Sequence, residues 1–558
     1  MGEGGWSSPG LRLGHAALNV ALSVTQRRHY HRLIEGAKSP HAVQAALLRR
    51  IVATNAETDF GTRHGFSQIK NVDAYRRAVP IRTYEDLRPF VERQELTGER
   101  CLTREQPVYF HRTSGTVGAP KNIPVTPTGL RHIKRHQHLS AYVQCRRSSI
   151  FKGKVFGIGG QAIEGRMAGG TPFGSASGLL YQHQSKFVRS RYVLPPALSD
   201  IEEYEARYLA MAIYGLADPA VTCIASANPS TFLRLLSVIN QHAGLILDSV
   251  AAGRLPESMA SWPALTCMLA PRPRRAAHLA DRLKAAGQLT YVDIWPDLQG
   301  VLTWTGGSCG VPLRSLADLL PADVMIIEVG YLASEVRGTI NVDVRRNACL
   351  PTLFTTFFEF AERQGWESGS VELQGLHELE EGREYYVFVT TEDGLYRYDM
   401  NDIVRAGERV HQTPTLEFVQ KGKGVTNITG EKLHEAQVLN AVLGLLDARR
   451  LQSEFFIMLA DRETAGYMVF IEAGDPKDAS SLAEELDGRL RALNIEYDAK
   501  RGSGRLAPLR VRWLRRGTGD QYRSFCVAKG QRDAQFKYLH LQYAHECPFD
   551  FAGFVKSE

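Results

Sequence analysis

Cysteine pairs are missing from this chain: its eight cysteines, Cys101, Cys145, Cys223, Cys267, Cys309, Cys349, Cys526 and Cys547, are widely spaced and form no CxxC. That argues against a disulfide framework or a structural zinc site, and for a reducing, cytoplasmic location. Long hydrophobic runs are missing too. No stretch approaches the roughly 20 apolar residues of a membrane span, and the opening MGEGGWSSPG carries Glu3 but no basic segment, so no signal peptide and no membrane association are expected. Low-complexity tracts and internal repeats are absent. Charge of one sign is not in large excess: 67 Lys and Arg stand against 60 Asp and Glu, a formal net charge of +7. The densest basic patches, Pro271 to Arg275 and Arg131 to His138, are explained as well by solvated faces as by phosphate reading. With no reader motif present, small anionic molecules are expected as partners and nucleic acid is not.

What is present is the balance of a globular enzyme, 44% hydrophobic and 23% charged, with 50 Gly and 25 Pro scattered along the chain. At 558 residues it is too long for one core, so a large body of several subdomains and a smaller domain are expected. After a loose tail, Met1 to about Pro9, helical spacing runs through Ala17, Val20, Ala21 and Val24. Ser39-Pro40 and Thr83 mark two further helix starts. Val108 to Thr126 reads as strand, Gly-rich turn, strand. Helices follow at Asn228-Pro229-Ser230 and over about Ala276 to Ala286, and the hydrophobic strands Val301 to Trp304 and Val324 to Gly330 end at polar or Gly-rich loops. Alternation of this kind predicts α/β layering with ligands at the strand ends. From Arg383 a strand, Glu-Asp-Gly turn and strand lead to QKGKG. The expected domains are 1–420, a hinge at 421–424, and a smaller α/β domain at 425–558 with a helix near Glu431 to Leu446.

Chemistry concentrates in HRTSGTVGAPK, His111 to Lys121. Gly115 and Gly118 allow close backbone approach, Ser114 and Thr116 offer hydroxyls, and Lys121 adds a positive charge, together suiting a polyphosphate. Pro120 before the lysine and Asn122 after it rule out the GxxxxGK[ST] loop. Taken alone, the string also reads as an ordinary Gly-rich hairpin turn.

TSGTVGAPK, YLASE at Tyr331 to Glu335 and LYRYDMNDIV at Leu395 to Val404 resemble, in order, the three nucleotide motifs of adenylate-forming enzymes. More closely, the chain resembles the Gretchen-Hagen (auxin-responsive promoter) family of acyl acid amido synthetases. The likeness covers nearly the whole length, including VPIRTYEDLRPFVER, LTWTGGS at Leu302 to Ser308 and RRGTGDQYRSFCVAKGQRDAQFK. It implies the adenylate-forming fold, a large N-terminal domain of layered α/β subdomains with a small mobile C-terminal domain.

It also implies ATP and Mg²⁺ as cofactors and a small carboxylic acid and an amine as substrates, the acid passing through acyl-AMP to an amide. Ser114, Thr116 and Lys121 would hold the outer phosphates, with Gly115, Gly118 and Gly306 bordering the nucleotide. Tyr331 would lie against adenine, Ser334 would donate to the α-phosphate, Glu335 would ligate Mg²⁺, and Asp402 would accept from the ribose hydroxyls. Lys537, in QFK, matches the lysine that reaches the reacting carboxylate. The Tyr538-Leu539-His540 that follows departs from the family's proline and arginine, which leaves Lys529 as a second candidate. Lys421 and Lys423 resemble a hinge pair with one lysine near the ribose, and a basic turn is the competing reading. A thioester-forming second step, or a non-catalytic nucleotide-binding scaffold, are the alternatives in function.

Three other strings carry less. His132 and His136 stand four apart, as metal ligands can, but without a third ligand they are expected on a solvated helix face. Phe156 to Gly174 is too glycine-dense for a dinucleotide fingerprint and reads as a loop, either at the acyl pocket or on the surface. Gly174-Ser175-Ala176-Ser177-Gly178 has alanine where a nucleophile elbow needs serine, which speaks against a serine hydrolase.

Overall fold

The computed structural model describes residues 9–113, 121–201, 203–259, 261–262, 265, 269–306, 309–369, 372–422, 424–451, 453–473, 479–528 and 539–556. The chain forms two compact units, Met1–Arg112 with Asn122–Val419, and Thr113–Lys121 with Gln420–Glu558. The expected tail falls on 1–8, outside the described residues, and a 28-residue helix begins at Pro9.

In the first unit the central element is a four-stranded sheet in the order Lys154–Gly157, Val221–Ala225, Gly300–Thr303, Met325–Glu328, every neighbouring pair parallel. Val221, Cys223, Ile224, Val301 and Ile327 are all fully buried, as strands covered on both faces must be. One core lies with the helices Tyr204–Ala217, Ser230–Gln241, Ala243–Ala252 and Pro273–Ala286. Its centre is Trp295, stacked on Tyr291 at 5.7 Å with its indole N–H donating to the Asp218 carbonyl. The other core joins the helices Pro40–Thr54 and Pro127–Arg147 to a five-stranded sheet ordered Leu373–Gln374, Thr356–Glu362, Glu384–Thr391, Tyr398–Val410, Thr413–Lys421. No single described helix is long and apolar enough to cross a membrane.

Local chemistry explains the helix starts. Thr83 and Asp86 form the capping box of Tyr84–Thr97, whereas Ser39 occupies the cap position of its helix without a side-chain cap bond. Thr126 caps Pro127–Arg147 by accepting from the Gly129 N–H, with Pro127 in the first turn. The Thr126 N–H and hydroxyl in turn donate to Asp393 Oδ1 at 2.8 Å each. A Cβ on Gly129 would meet that oxygen at 2.1 Å, so the close approach requires glycine.

Burial, which outweighs the Thr126 hydrogen bonds, pushes the Asp393 carboxyl up to about 6. Its unfolded value is near 3.9. The folded chain therefore keeps the proton between about pH 4 and 6, and the stability from this group is fullest below about pH 4 and is lost as pH rises through about 6. Asp393→Asn removes that slope: the variant should gain on the order of 2–3 kcal/mol over the parent between pH 4 and 7 in urea unfolding.

The histidines do not occupy a solvated face. His136 is buried with its Nε2 facing the Thr355 hydroxyl, and His132 Nε2 lies 2.5 Å from Glu392 Oε2. The helix face carrying them packs against the unit's own core, because it also bears Leu139, Tyr142 and Val143. Among the described residues no three His, Cys, Asp or Glu side chains cluster as a metal site.

The second unit has a four-stranded sheet ordered Arg510–Leu514, Gly466–Ala473, Ser453–Asp461, Leu541–Tyr543. The central pair is antiparallel and both outer pairs are parallel. Helices Glu435–Arg449 and Ala479–Leu493 contribute to its core. The first of these starts later than the sequence suggests. Glu431 is buried outside it, accepting from Ile428 N–H at 2.6 Å, Thr429 N–H at 2.7 Å and Tyr467 hydroxyl at 2.5 Å, while Gly430 and Lys432 take positive φ and postpone the helix. Glu472 explains the Gly-Thr-Gly string at a later helix: its carboxylate accepts from the Gly517 and Gly519 N–H groups at the start of Thr518–Ala528.

Candidate active site

The parallel strands end at Gly157, Ala225, Thr303 and Glu328, so the loops after them gather on one edge, where open α/β sheets place ligands. Glu328 ties two of those loops together. Its Oε2 accepts from Thr305 N–H and hydroxyl at 2.6 and 2.7 Å, and its Oε1 accepts from Gly330 N–H at 2.7 Å. Gly306, next along, packs directly on the Phe418 carbonyl, which a Cβ would meet at 2.4 Å.

The YLASE string is a tight hairpin. Gly338 N–H donates to Tyr331 O, Ala333 N–H donates to Val336 O, and Leu332 bridges Arg337, leaving Ser334 and Glu335 at the tip. Two groups fix that tip. His111, pushed down by burial and therefore neutral near pH 7, donates from Nδ1 to the Ser334 carbonyl at 2.9 Å. Its Nε2 is sealed and has no hydrogen-bond partner among the described residues. Tyr398 donates to Glu335 Oε1 at 3.4 Å.

Asp402 comes from the strand Tyr398–Val410 and is 1% exposed. Its Oδ2 accepts from the Tyr331 hydroxyl at 2.6 Å, and burial together with that carboxylate pushes the phenol well above its ordinary range. The Tyr331 ring lies parallel to Phe418, centroids 6.1 Å apart, and over Gly338, where a Cβ would come within 2.4 Å of the ring. Gly338→Ala should therefore displace Tyr331 and cost about 1–3 kcal/mol, read in thermal unfolding with a matching change in near-UV dichroism. The turn before Asp402 is strained, with Arg397 and Asn401 both at φ 47. Arg397 is held by Glu359 Oε2 at 2.9 Å and by the carbonyls of Val79 and Arg76, and Arg76 itself pairs with Glu359 Oε1 at 2.9 Å.

Beside the hairpin opens a cavity of about 1470 Å³. Its wall is mostly apolar, with Leu18, Leu22, Ala141, Leu302, Val329 and Leu332 among the lining side chains, and Gly157 to Ile163 form one side. The Gly-rich segment after Phe156 is thus a cavity border, with Gly165–Arg166 and Pro172–Gly174 paired antiparallel within it. Ser175 caps the helix Ala176–Gln182 by accepting from Gly178 N–H, an architectural role in place of an elbow.

In the second unit, Lys121 and Lys421 lie near His434. Burial first, then the ammonium charges of Lys121, Lys421 and Lys432, hold that imidazole down to about 3. Gly424, at φ 72, accepts through its carbonyl from Glu435 N–H at 2.7 Å. Ser114, Gly115, Thr116, Gly118, Lys423, Lys529 and Lys537 lie outside the described residues.

The structure thus brings Tyr331, Ser334, Glu335 and Asp402 into one neighbourhood of the first unit, and Lys121 and Lys421 into one neighbourhood of the second. Sequence reasoning missed His111 as a brace, Glu328 as the loop tie, and Tyr398 and Phe418. A carboxylate closing a hydrophobic strand, as in MIIE, was the signal available for Glu328.

Family models of the GH3 N-terminal, central and C-terminal domains match residues 29–325, 349–421 and 436–545. A probable indole-3-acetic acid-amido synthetase of Oryza sativa subsp. japonica is 25% identical over 532 residues, 89% of this chain and 86% of its own length. Among solved structures, the GH3.15 acyl acid amido synthetase superposes with a TM-score of 0.62 over 97% of both chains at 20% identity. A 2-hydroxyisobutyryl-CoA ligase gives 0.53 at 12% identity over 90% of this chain and 89% of its own. The α/β architecture is accordingly that of adenylate-forming enzymes, and the chain belongs to the GH3 family.

Proposed function

We propose that this chain is an ATP-dependent ligase that adenylates a small carboxylic acid and transfers the acyl group to an amine. The observation that carries the reading is the hairpin tip itself: a hydroxyl, Ser334, and a carboxylate, Glu335, held by His111 and Tyr398 beside both the buried Asp402 and an apolar cavity.

A carboxylate at neutral pH has no good leaving group. In the first step its oxygen attacks the α-phosphorus of ATP and pyrophosphate departs. In the second, a neutral amine nitrogen attacks the acyl carbon, AMP departs and the nitrogen loses a proton. Ser114, Gly115, Thr116, Gly118 and Lys121 are assigned to the β- and γ-phosphates, Ser334 to the α-phosphate, and Gly306 and Tyr331 to the border of the adenine. Asp402, fixed by the Tyr331 hydroxyl, is assigned to the ribose. Lys537 is assigned to the reacting carboxylate, where a fixed positive charge offsets the charge that develops.

Mg²⁺ takes oxygen ligands, retains several waters and needs only one or two protein carboxylates beside the phosphates. Glu335 at an accessible loop tip fits that demand, and the ion would neutralise charge on the departing pyrophosphate. Residues 421–424 are assigned as the pivot between domains 1–420 and 425–558, Lys421 being its ribose-side member. A reducing, cytoplasmic location belongs to the same reading, and it is supported by the seven described cysteines all being free thiols.

The test is product analysis. Full-length chain, ATP, Mg²⁺ and a panel of acids are incubated with amino acids or with coenzyme A, and products are read by mass spectrometry. The reading expects amides. Thioesters alone would move the second step to a thiol, and neither product with any acid would remove the ligase.

A further inference from the structure

Among the described residues, Arg337 stands in the cavity wall without a counter-ion. Its guanidinium donates to the Ser140 hydroxyl at 3.1 Å, its Nε is sealed from solvent with no partner, and no carboxylate pairs with it among the described residues. Burial alone, with no opposing carboxylate, pushes the group down to about 10. An enclosed cation with nothing to balance it is costly to keep unless a ligand supplies the anion. Its position says which anion. Arg337 bridges Leu332 across the hairpin whose tip carries Ser334 and Glu335, so one short loop faces both the proposed nucleotide residues and the cavity.

The cavity says what the anion is attached to. At about 1470 Å³ it exceeds the roughly 300–1,000 Å³ of ordinary small-molecule sites. Its walls are Leu18 and Leu22 from the first helix, Ala141 from the helix Pro127–Arg147, and Leu302, Val329 and Leu332 from the strand ends. Arg189 and Arg191 also line the cavity, Arg191 held by the carbonyls of Phe151, Lys152 and Gly153, and Arg337 is the cation at the hairpin edge, where it selects a carboxylate on a long or bulky apolar body.

We propose that Arg337 is the residue that seats the acid's carboxylate at the hairpin, and that the acid is an extended, largely apolar monocarboxylate. This rests on the ligase reading for its consequence in catalysis, but binding itself does not require ATP.

The test uses the full chain with butanoate, octanoate, dodecanoate and dodecanol. Binding without ATP is followed by calorimetry, and acid-dependent pyrophosphate exchange is followed with ATP. Dodecanoate is expected to bind more tightly than butanoate, and dodecanol about 10- to 100-fold more weakly than dodecanoate. Arg337→Gln should bring dodecanoate down to the level of dodecanol and raise KM for the acid with KM for ATP within about twofold. Arg337→Lys should restore part of the loss. Ala141→Phe, which fills the cavity, should shift preference toward octanoate. Ligand-free Arg337→Gln should melt no lower than the parent, because it removes an uncompensated charge; a purely structural arginine would give the opposite.

Equal binding of butanoate and dodecanoate, or unchanged dodecanoate binding in Arg337→Gln, overturns the inference. Arg337-dependent binding of dodecanoate with no pyrophosphate exchange overturns the ligase reading and leaves the inference standing. Exchange supported by acids whose KM ignores Arg337 does the reverse.

Discussion

Replacing Glu335 with glutamine should lower acid-dependent pyrophosphate exchange by on the order of 10²- to 10³-fold while leaving the thermal midpoint within about 2 °C. The substitution removes charge and keeps shape. Glutamine keeps a carbonyl oxygen for the Tyr398 hydroxyl, which lies 3.4 Å from Glu335 Oε1, and the hairpin is closed by backbone bonds at Ala333 and Gly338 that the change does not touch. What disappears is the negative oxygen that would hold a divalent ion against the departing pyrophosphate. Steady-state exchange over a range of Mg²⁺ checks it. Activity within threefold of the parent would remove Glu335 from the reaction, and a collapse of the midpoint would mean its role is structural. Lys537→Ala should likewise abolish exchange with the fold intact.

The largest expected effect on stability is at Glu359. It is 1% exposed and carries two guanidinium groups, Arg397 and Arg76, each at 2.9 Å. Removing one partner of such a buried network costs about 3–5 kcal/mol, because the cations left behind keep their desolvation penalty without their attraction. Glu359→Ala should show this loss in calorimetric unfolding, with Glu359→Gln intermediate. The consequence reaches the site, since Arg397 holds a positive-φ turn five residues before Asp402. The same variant should therefore raise KM for ATP as well. A melting profile indistinguishable from the parent would show that the network contributes nothing.

Both residues illustrate what a sequence can disclose. The YLASE segment was legible as a unit because it is contiguous, and contiguous strings survive in a hairpin closed by local bonds. The parallel strands were legible for a related reason, since VLTW and VMIIEVG are hydrophobic runs without alternation, and Gly300–Thr303, inside the sheet, is buried throughout. Glu359 was not legible, because its partners stand at positions 76 and 397 and only tertiary folding brings them together. His111 was read as the start of a phosphate string. Its bond to Ser334, 223 positions away, was beyond any pattern of spacing. The pair His132 and His136 misled for the converse reason. Spacing of four places two side chains on one helical face but does not say whether that face meets water or core, and here Leu139, Tyr142 and Val143 decide for the core. Nothing in the spacing pointed to Asp402 as a partner of Tyr331, a pairing that joins two of the resembling motifs in one piece of architecture.

The central claim, that a carboxylate oxygen of the acid displaces pyrophosphate at the α-phosphorus of ATP, has a direct isotopic signature. The acid that gives the fastest exchange is supplied with both carboxylate oxygens as ¹⁸O, an amine acceptor completes the cycle, and the released nucleotide is weighed. AMP carrying one ¹⁸O is expected, with pyrophosphate unlabelled. Unlabelled AMP, or ¹⁸O found in inorganic phosphate beside ADP, would contradict it.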